Sequence, residues 1–191
     1  MNRFINYAHR GASDYAPENT MSAFRKAIEL KANGIELDLQ KTKDGKIVIF
    51  HDDFIDKKSN GIGTISDYTY NELLKFDFGS WFDLKYKDEK IVLFEEFAKK
   101  FLSEDLTFAI ELKTIGIEKQ TLEIIDKYSK SKENIYITDG RYIEHVHSIL
   151  TLYDEIIVYD INDVSKDDYE NFFMFCENVG FEENYVTYAR L

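Results

Sequence analysis

Strand-like and helix-like segments alternate along most of this 191-residue chain. Short apolar runs predict buried strands, and the longer stretches between them carry apolar residues at helical spacing. Such alternation is typical of an α/β fold with a mainly parallel sheet. The predicted strands are Phe4–Ala8, Gly34–Leu39, Ile47–Phe50, Leu106–Leu112, Asn134–Thr138, Glu155–Tyr159 and Tyr185–Tyr188. The predicted helices are Thr20–Lys31, Phe94–Leu102, Gln120–Tyr128, Tyr142–Leu150 and Asp167–Asn178.

One long segment, Asp52–Lys90, interrupts this alternation. It is rich in turn-forming residues, as in Ser59–Gly63, and in aromatic residues such as Trp81. Long excursions of this kind in compact domains are often functional. We therefore interpret residues 52–90 as an insertion over one face of a single domain that comprises residues 1–191.

Acidic residues outnumber basic ones by 36 to 24, which gives a formal net charge of −12. This balance argues against nucleic-acid and anionic-membrane binding, because both require a basic face. The single cysteine, Cys176, excludes an internal disulfide and a cysteine-based zinc site. No stretch reaches the ~18 apolar residues of a membrane span, and the N-terminus lacks a signal-peptide pattern. We therefore expect a cytoplasmic protein without an integral membrane segment.

The predicted strand Gly34–Leu39 carries carboxylates on one of its faces. Because side chains alternate along a strand, its isoleucine and leucines share one face, whereas Glu36, Asp38 and Gln40 share the other. If the apolar face packs on helices, the carboxylates point into a barrel interior, where they need a cation or a shared proton. The alternative is an exposed edge strand with a polar face.

A second strand, Leu106–Leu112, repeats this pattern and places Glu111 and the following Lys113 on the face opposite to its apolar residues. Functional sites of parallel sheets lie at the C-terminal ends of the strands. Glu36, Asp38 and Glu111 then form a set of hard oxygen ligands, which suits one Mg²⁺ or Ca²⁺ ion better than zinc.

Two histidines end predicted strands: His9 follows Phe4–Ala8, and His51 follows Ile47–Phe50. A histidine at the end of a strand is commonly structural. Two of them in equivalent positions, together with the carboxylates, indicate acid–base chemistry near neutral pH.

The dipeptide Asp44-Gly45 predicts a two-residue hairpin turn after the carboxylate-bearing strand. Pairing about such a turn puts His51 directly opposite Asp38. The connection is too short for a helical crossover, which takes about a dozen residues. We therefore expect an irregular barrel in which His51 lies beside the carboxylates.

Eight short motifs within residues 5–115 resemble those of the glycerophosphodiester phosphodiesterase family in order and spacing. Each motif is weak alone, but together they are specific, and they include the only proline and the only tryptophan of the chain. The motifs are Ala8–Gly11, Pro17–Thr20, Gly34–Asp38, Thr42–Gly45, Val48–Asp52, Asn60–Gly63, Leu73–Phe82 and Ile110–Lys113.

The resemblance implies a TIM (β/α)8-type barrel with a small insertion after the third strand, which matches residues 52–90. It implies metal-dependent hydrolysis of small-molecule glycerophosphodiesters of lipid metabolism to sn-glycerol 3-phosphate and an alcohol, through a cyclic phosphate. The implied roles are acid–base catalysis for His9 and His51, phosphate binding for Arg10 and Lys113, and coordination of one divalent cation for Glu36, Asp38 and Glu111.

Glu18 and Asn19 fall in the loop after the first strand, at the same mouth of the barrel. We expect them to hold the glycerol end of the substrate or to orient Arg10. The alternative is that Asn19 or Thr20 simply caps the helix that begins near Met21.

The resemblance weakens beyond Glu118. Thr138-Asp139-Gly140 stands where the family usually carries a Ser-Phe pair, so an acidic group is expected near the barrel mouth. A TIM barrel typically takes about 250 residues, and the resemblance aligns Asn184–Tyr188 with the seventh strand. We therefore expect a C-terminally incomplete barrel that lacks the eighth strand and the last helices. An incomplete barrel has three alternative explanations. The chain is truncated, a second copy in a homo-oligomer or another partner covers the open edge, or the strands rearrange to close the gap.

Two other functions stay open on the sequence. One is a phospholipase D-like or phosphatidylinositol phospholipase C-like activity on intact lipid, which the acidic charge disfavours. The other is a truncated, non-catalytic homologue, or a binding protein that a partner completes. Hydrolysis of a glycerophosphodiester is the leading hypothesis, because the chain carries the whole set of histidines, carboxylates and basic residues that it needs.

Overall fold

The structure is a computed structural model that describes residues 5–131, 134–139, 158–160 and 186–189. The strands are β1 Ile5–His9, β2 Gly34–Lys41, β3 Ile47–Ile49, β4 Val92–Leu93, β5 Thr107–Leu112, β6 Ile135–Asp139, β7 Val158–Asp160 and β8 Val186–Ala189. The α-helices of the described part are α1 Met21–Glu29, α2 Tyr70–Leu73, α3 Phe94–Phe101 and α4 Glu118–Tyr128. The predicted helices Tyr142–Leu150 and Asp167–Asn178 lie outside the described residues.

The strands β1, β2, β5, β6 and β7 are parallel neighbours in this order. Helix α1 connects β1 to β2, and α4 connects β5 to β6, as in the wall of a (β/α) barrel. The predicted α/β architecture of the TIM-barrel type is therefore confirmed. The short strand β4, which the sequence did not predict, extends the sheet beyond β3.

Strand β2 is the centre of this arrangement because it is paired along both of its edges. Strand β5 pairs with one edge, while β1 and β3 share the other, β1 along its first half and β3 along its second half. The alternative of an exposed edge strand at Gly34–Leu39 is therefore wrong.

Strand β8 pairs in parallel with β1, with Val186 opposite Ile5. This segment is the one that the resemblance aligned with the seventh strand of the barrel. Its position beside β1 is the place that the final strand of a closed barrel occupies. Within the described parts of the chain, no pairing joins β7 to β8.

The hairpin between β2 and β3 differs from its prediction by one residue. Its connection is a three-residue loop that ends with Gly45, whose φ of 75° is left-handed. The additional residue shifts the register, so that the Phe50 amide donates a 2.9 Å hydrogen bond to the Asp38 carbonyl. The prediction that His51 lies directly opposite Asp38 was therefore wrong.

The main core lies between the outer faces of β2 and β5 and the helices α1, α3 and α4. Ile35, Leu37 and Leu39 of β2 are fully buried there, as the alternation along this strand predicted. Phe97 of α3 packs edge-on against Phe24 of α1, with ring centroids 4.7 Å apart. Truncation of a phenylalanine in such a position to alanine costs about 3–5 kcal/mol.

The insertion between β3 and β4 has a small core of its own. Its apolar side chains pack onto residues that flank β3, and Phe78 meets Phe50 edge-on at a centroid distance of 5.9 Å. The buried members of this cluster are Val48, Phe50, Ile55, Ile65, Leu73, Phe78 and Ile91.

None of the helices in the described part of the chain is both long enough and apolar enough to span a bilayer.

Candidate active site

Strands β1, β2 and β5 bring four of the predicted site residues to one mouth of the barrel. In the parallel register, His9 lies beside Glu36, and Asp38 lies beside Glu111. Neighbouring strands in register point these side chains to the same face of the sheet. Lys113 follows directly after β5.

The carboxylate cluster, which we define as Glu36, Asp38 and Glu111, has oxygen atoms within 4.8 Å of one another. Asp38 has no exposed surface, and Glu36 is 5% exposed. Burial, followed by the charge of Asp38, raises the pKa of Glu36 well above its usual range. Burial also raises the pKa of Glu111, although the hydrogen bond from Lys113 opposes the shift.

The chemistry of this cluster fits a divalent cation. Oδ1 of Asp38 is buried and accepts no hydrogen bond, and Nζ of Lys113 lies 3.4 Å from it. Buried carboxylates this close repel one another, and either a cation or a shared proton relieves the repulsion. Three carboxylates are also the oxygen donors that Mg²⁺ and Ca²⁺ prefer.

Arg10 is the first residue of the loop after β1, and it contacts both the carboxylate cluster and Glu18. Its backbone N–H donates a 2.9 Å hydrogen bond to Oε2 of Glu36, and its φ is 58°. Its guanidinium donates to Oε1 of Glu18 at 3.1 Å, and its Nε lies 3.4 Å from Oδ2 of Asp38. Glu18 therefore contacts Arg10, as the second of its two expected roles requires.

Asn19 is a buried residue that reaches into the carboxylate cluster. Its side-chain N–H donates a 2.9 Å hydrogen bond to Oδ2 of Asp38. Its own Oδ1 is buried and has no hydrogen-bond partner. The cap of α1 is Thr20, whose hydroxyl accepts a 3.2 Å hydrogen bond from the Ala23 N–H. Asn19 is thus available to the site while Thr20 begins the helix.

Lys113 neutralises two members of the cluster at once. Its ammonium donates a 2.5 Å hydrogen bond to Oε1 of Glu111 and forms the ion pair with Asp38. The side chain is 7% exposed. A lysine held so close to two carboxylates places a positive charge within the carboxylate cluster.

Each of the two histidines at the mouth lies next to a carboxylate. Nε2 of His9 is 3.8 Å from Oε2 of Glu36. Nδ1 of His51 is 2.7 Å from Oδ1 of Asp52. Donor atoms of His51, Asp52 and Glu18 lie within 4.8 Å of one another. His51 therefore belongs to the Glu18 side of the mouth.

Comparison with protein families identifies the family of this chain. The model of the glycerophosphoryl diester phosphodiesterase family matches residues 9–171. The chain belongs to this family. The match includes every residue that the sequence placed in the site, from His9 to Lys113.

Named relatives of this phosphodiesterase-family chain come from bacteria and from mammals. A glycerophosphodiester phosphodiesterase of Caldanaerobacter subterraneus subsp. tengcongensis is 39% identical over 140 residues, which are 71% of this chain and 58% of the relative. One of Bacillus subtilis (strain 168) is 36% identical over 138 residues, or 66% and 47% of the two chains. The chain spans about half the length of the curated relatives it matches.

Solved structures of the same family resemble the fold. An Oleispira antarctica phosphodiesterase in complex with the product sn-glycerol-3-phosphate aligns with a TM-score of 0.77 at 28% identity, over 92% of this chain and 71% of that chain. A glycerophosphodiester phosphodiesterase from Agrobacterium tumefaciens aligns with a TM-score of 0.73 at 25% identity, over 82% and 66% of the two chains.

Three residues of this family member enter the site without having been predicted there. Asp52 lies against His51, and Lys58 forms a 3.0 Å ion pair with Glu18. Gln40 donates from its side-chain amide to the carbonyls of residues 50, 51 and 52, at 3.2, 3.2 and 2.8 Å. Gln40 therefore fixes the backbone that carries His51. The position of Gln40 on the polar face of β2 could have identified it as a site residue, whereas no sequence pattern identified Lys58.

Proposed function

We propose that this chain hydrolyses glycerophosphodiesters to sn-glycerol 3-phosphate and an alcohol with the help of one divalent cation, Mg²⁺ or Ca²⁺. The observation that carries this proposal is the convergence of three buried carboxylates, two histidines and two basic side chains at one mouth of the barrel. The relative that was solved with sn-glycerol-3-phosphate supports the same product.

Charge repulsion is the first obstacle to this reaction, because a phosphodiester is an anion that resists a nucleophile. Arg10 lies at the mouth with its backbone fixed by Glu36, and a guanidinium can bind two phosphate oxygens at once. Lys113 adds a positive charge on the cluster side of the mouth. We infer that these two side chains bind the phosphate and stabilise the charge that develops on it.

Glu36, Asp38 and Glu111 would hold the cation. When bound, such an ion supplies Lewis acidity and offsets the negative charge of the reacting phosphate. Asn19 would keep Asp38 in place, because its amide occupies one oxygen of that carboxylate and leaves the other without a hydrogen bond.

His9 and His51 would transfer the protons. One imidazole removes the proton of the glycerol 2-hydroxyl as its oxygen forms a bond to phosphorus, and the other protonates the leaving alcohol oxygen as its bond to phosphorus breaks. In the second step, water adds to the cyclic phosphate and the proton transfers run in reverse. Asp52 would orient the His51 ring through the contact at Nδ1.

The direct test is release of sn-glycerol 3-phosphate from a panel of glycerophosphodiesters, with Mg²⁺, with Ca²⁺ and with a chelator. We expect release that depends on the cation and that is lost in Glu36→Gln together with cation binding. Glu104→Gln is the matched control, because Glu104 is an exposed carboxylate outside the site. Equal release by wild type and Glu36→Gln, or no release from any diester by the folded, cation-bound chain, would refute the proposal.

A further inference from the structure

A slot for a positive charge lies beside the mouth of the site. We define this cation slot by the ring of Trp81, from the insertion, and the carboxylate of Glu18, from the loop after β1. The ammonium of Lys58 fills it, with Nζ 3.9 Å from the centre of the Trp81 ring and 3.0 Å from Oε2 of Glu18. The Lys58 side chain is 23% exposed and that of Glu18 is 16% exposed.

The chemistry of the slot is that of a receptor for organic cations. A tryptophan face binds ammonium groups more strongly than other aromatic rings do, and aromatic cages are the usual means by which proteins recognise choline-like groups. The adjacent carboxylate adds a direct charge interaction. In this chain, the protein supplies the cation from its own sequence.

The slot lies next to the residues that we propose to bind substrate. Glu18 accepts hydrogen bonds from Arg10 through one carboxylate oxygen and from Lys58 through the other. The lining of a small recess includes Glu18, Asn19, Lys58 and Trp81, together with Phe50 and Phe78. Asn19, which contacts Asp38, is therefore shared by this recess and the carboxylate cluster.

Both carboxylate oxygens of Glu18 are already paired with basic side chains of the chain, so neither is open to a cation from a substrate. One of its oxygens accepts from Arg10 at 3.1 Å, and the other is 3.0 Å from Lys58. A cationic group that entered the recess would meet the Lys58 ammonium at close range, or would have to displace it from both of its partners. Either event is unfavourable for a cation but not for a neutral or anionic group.

We propose that Lys58 determines specificity by occupying the cation slot, so that the site prefers diesters of neutral or anionic alcohols over diesters of choline or ethanolamine. This inference rests on the proposed function and adds the class of alcohol to it. A cation that lies over a tryptophan ring and is shielded from water can change the affinity for a ligand by about tenfold.

The test compares kcat/KM for glycerophosphoglycerol and glycerophosphocholine in wild type and in Lys58→Met, which keeps the length of the side chain and removes its charge. We expect wild type to prefer glycerophosphoglycerol by about tenfold or more, and Lys58→Met to lose most of this preference. Lys58→Arg keeps the charge and should keep the preference. A merely structural defect would lower turnover of both diesters alike and leave their ratio unchanged.

Lys85→Met is the matched control, because Lys85 also lies over an aromatic ring, that of Tyr86 at 4.9 Å, and pairs with Asp83 at 3.6 Å, but does not line the recess. We expect it to behave as wild type.

Binding of choline chloride by calorimetry is a second readout that does not need turnover. We expect binding to Lys58→Met and none to wild type. Equal kcat/KM for the two diesters in wild type, or the same ratio in Lys58→Met, would overturn the specificity and leave the proposed function intact. Turnover of neither diester by wild type would overturn this inference, and release from no diester of the wider panel would refute the proposed function as well.

Discussion

The side-chain amide of Asn19 donates a 2.9 Å hydrogen bond to Oδ2 of Asp38, and both residues are buried. The backbone of Asn19 has a φ of 57°, a left-handed conformation that asparagine tolerates better than most residues. The loop after β1 is thereby fastened to the carboxylate cluster. Residues that hold a metal ligand in place in this way commonly affect the affinity for the metal.

Replacement of Asn19 by glycine tests this relationship without backbone strain, because glycine adopts the same φ freely. We expect the affinity for Mg²⁺ or Ca²⁺, measured by calorimetry, to fall by about 10- to 100-fold. Lys31→Gly is the control, since Lys31 also has a left-handed φ, of 63°, but is exposed at the end of α1. Wild-type affinity in Asn19→Gly would show that Asn19 does not support the cation site.

The faces of β2 and β5 could be predicted from the sequence because the two-residue period of a strand leaves little freedom. Once Ile35 and Leu37 are assigned to the helix-facing side, Glu36 and Asp38 must point to the other. The parallel register then places Asp38 beside Glu111, as the structure has it. The carboxylate cluster therefore follows from local pattern and from the rule that sites lie at strand ends.

The position of His51 was predicted less accurately, because one additional residue in the turn of a hairpin changes its register. The pair Asp44-Gly45 suits a two-residue turn, but in the structure Gly45 ends a three-residue loop. The contacts of Lys58 could not be predicted from the sequence either. They join the insertion to a loop 40 residues earlier, and no periodic pattern relates these segments.

Gln40 should affect catalysis through the position of His51. Gln40→Met removes the amide that donates to the carbonyls of Phe50, His51 and Asp52. We expect a loss of about 1–3 kcal/mol in the free energy of unfolding, because buried carbonyls lose their donor. We also expect kcat to fall by about tenfold or more, within the range that a general acid or base contributes. Stopped enzyme assays measure kcat, and urea unfolding measures the free energy of unfolding.

The same variant should leave cation binding unchanged, since the side-chain hydrogen bonds of Gln40 go to backbone carbonyls and not to the carboxylates of the cluster. A wild-type kcat in Gln40→Met would contradict the role of Gln40 in positioning His51.

Cation binding should be visible in thermal stability. Without a cation, the buried carboxylates of the cluster repel one another. A cation at a concentration of 100 times its Kd stabilises the folded state by about 2.7 kcal/mol. For a chain of this size we expect a rise in Tm of about 5–10 °C. Glu36→Gln relieves the repulsion, so we expect a higher Tm than wild type in chelator and little further rise on addition of Mg²⁺ or Ca²⁺. An equal rise in both proteins would place the cation elsewhere.

Asp77 should make the stability of the insertion depend on pH. Slight burial raises the pKa of this carboxyl, but hydrogen bonds from the Ser80 hydroxyl at 2.5 Å and from the amides of Gly79 and Ser80 outweigh it and lower the pKa well below its usual range. A lowered pKa in the folded state stabilises the protein above the unfolded pKa of about 4, and this stabilisation is lost as the pH falls further.

We therefore expect Asp77→Asn to be less stable than wild type at pH 7 and this difference to shrink between pH 4 and pH 2.5. Urea unfolding at a series of pH values measures it. A difference that stays constant over that range would show that the ionised form of Asp77 is not what the hydrogen bonds stabilise.

The most direct test of the central claim is to measure turnover and cation binding on the same samples of wild type and His51→Ala. His51 groups with Glu18 and Asp52 and is not one of the three carboxylates that would hold the cation. We expect His51→Ala to bind Mg²⁺ or Ca²⁺ as wild type does and to release sn-glycerol 3-phosphate at least about 100-fold more slowly. Release at the wild-type rate would contradict the account.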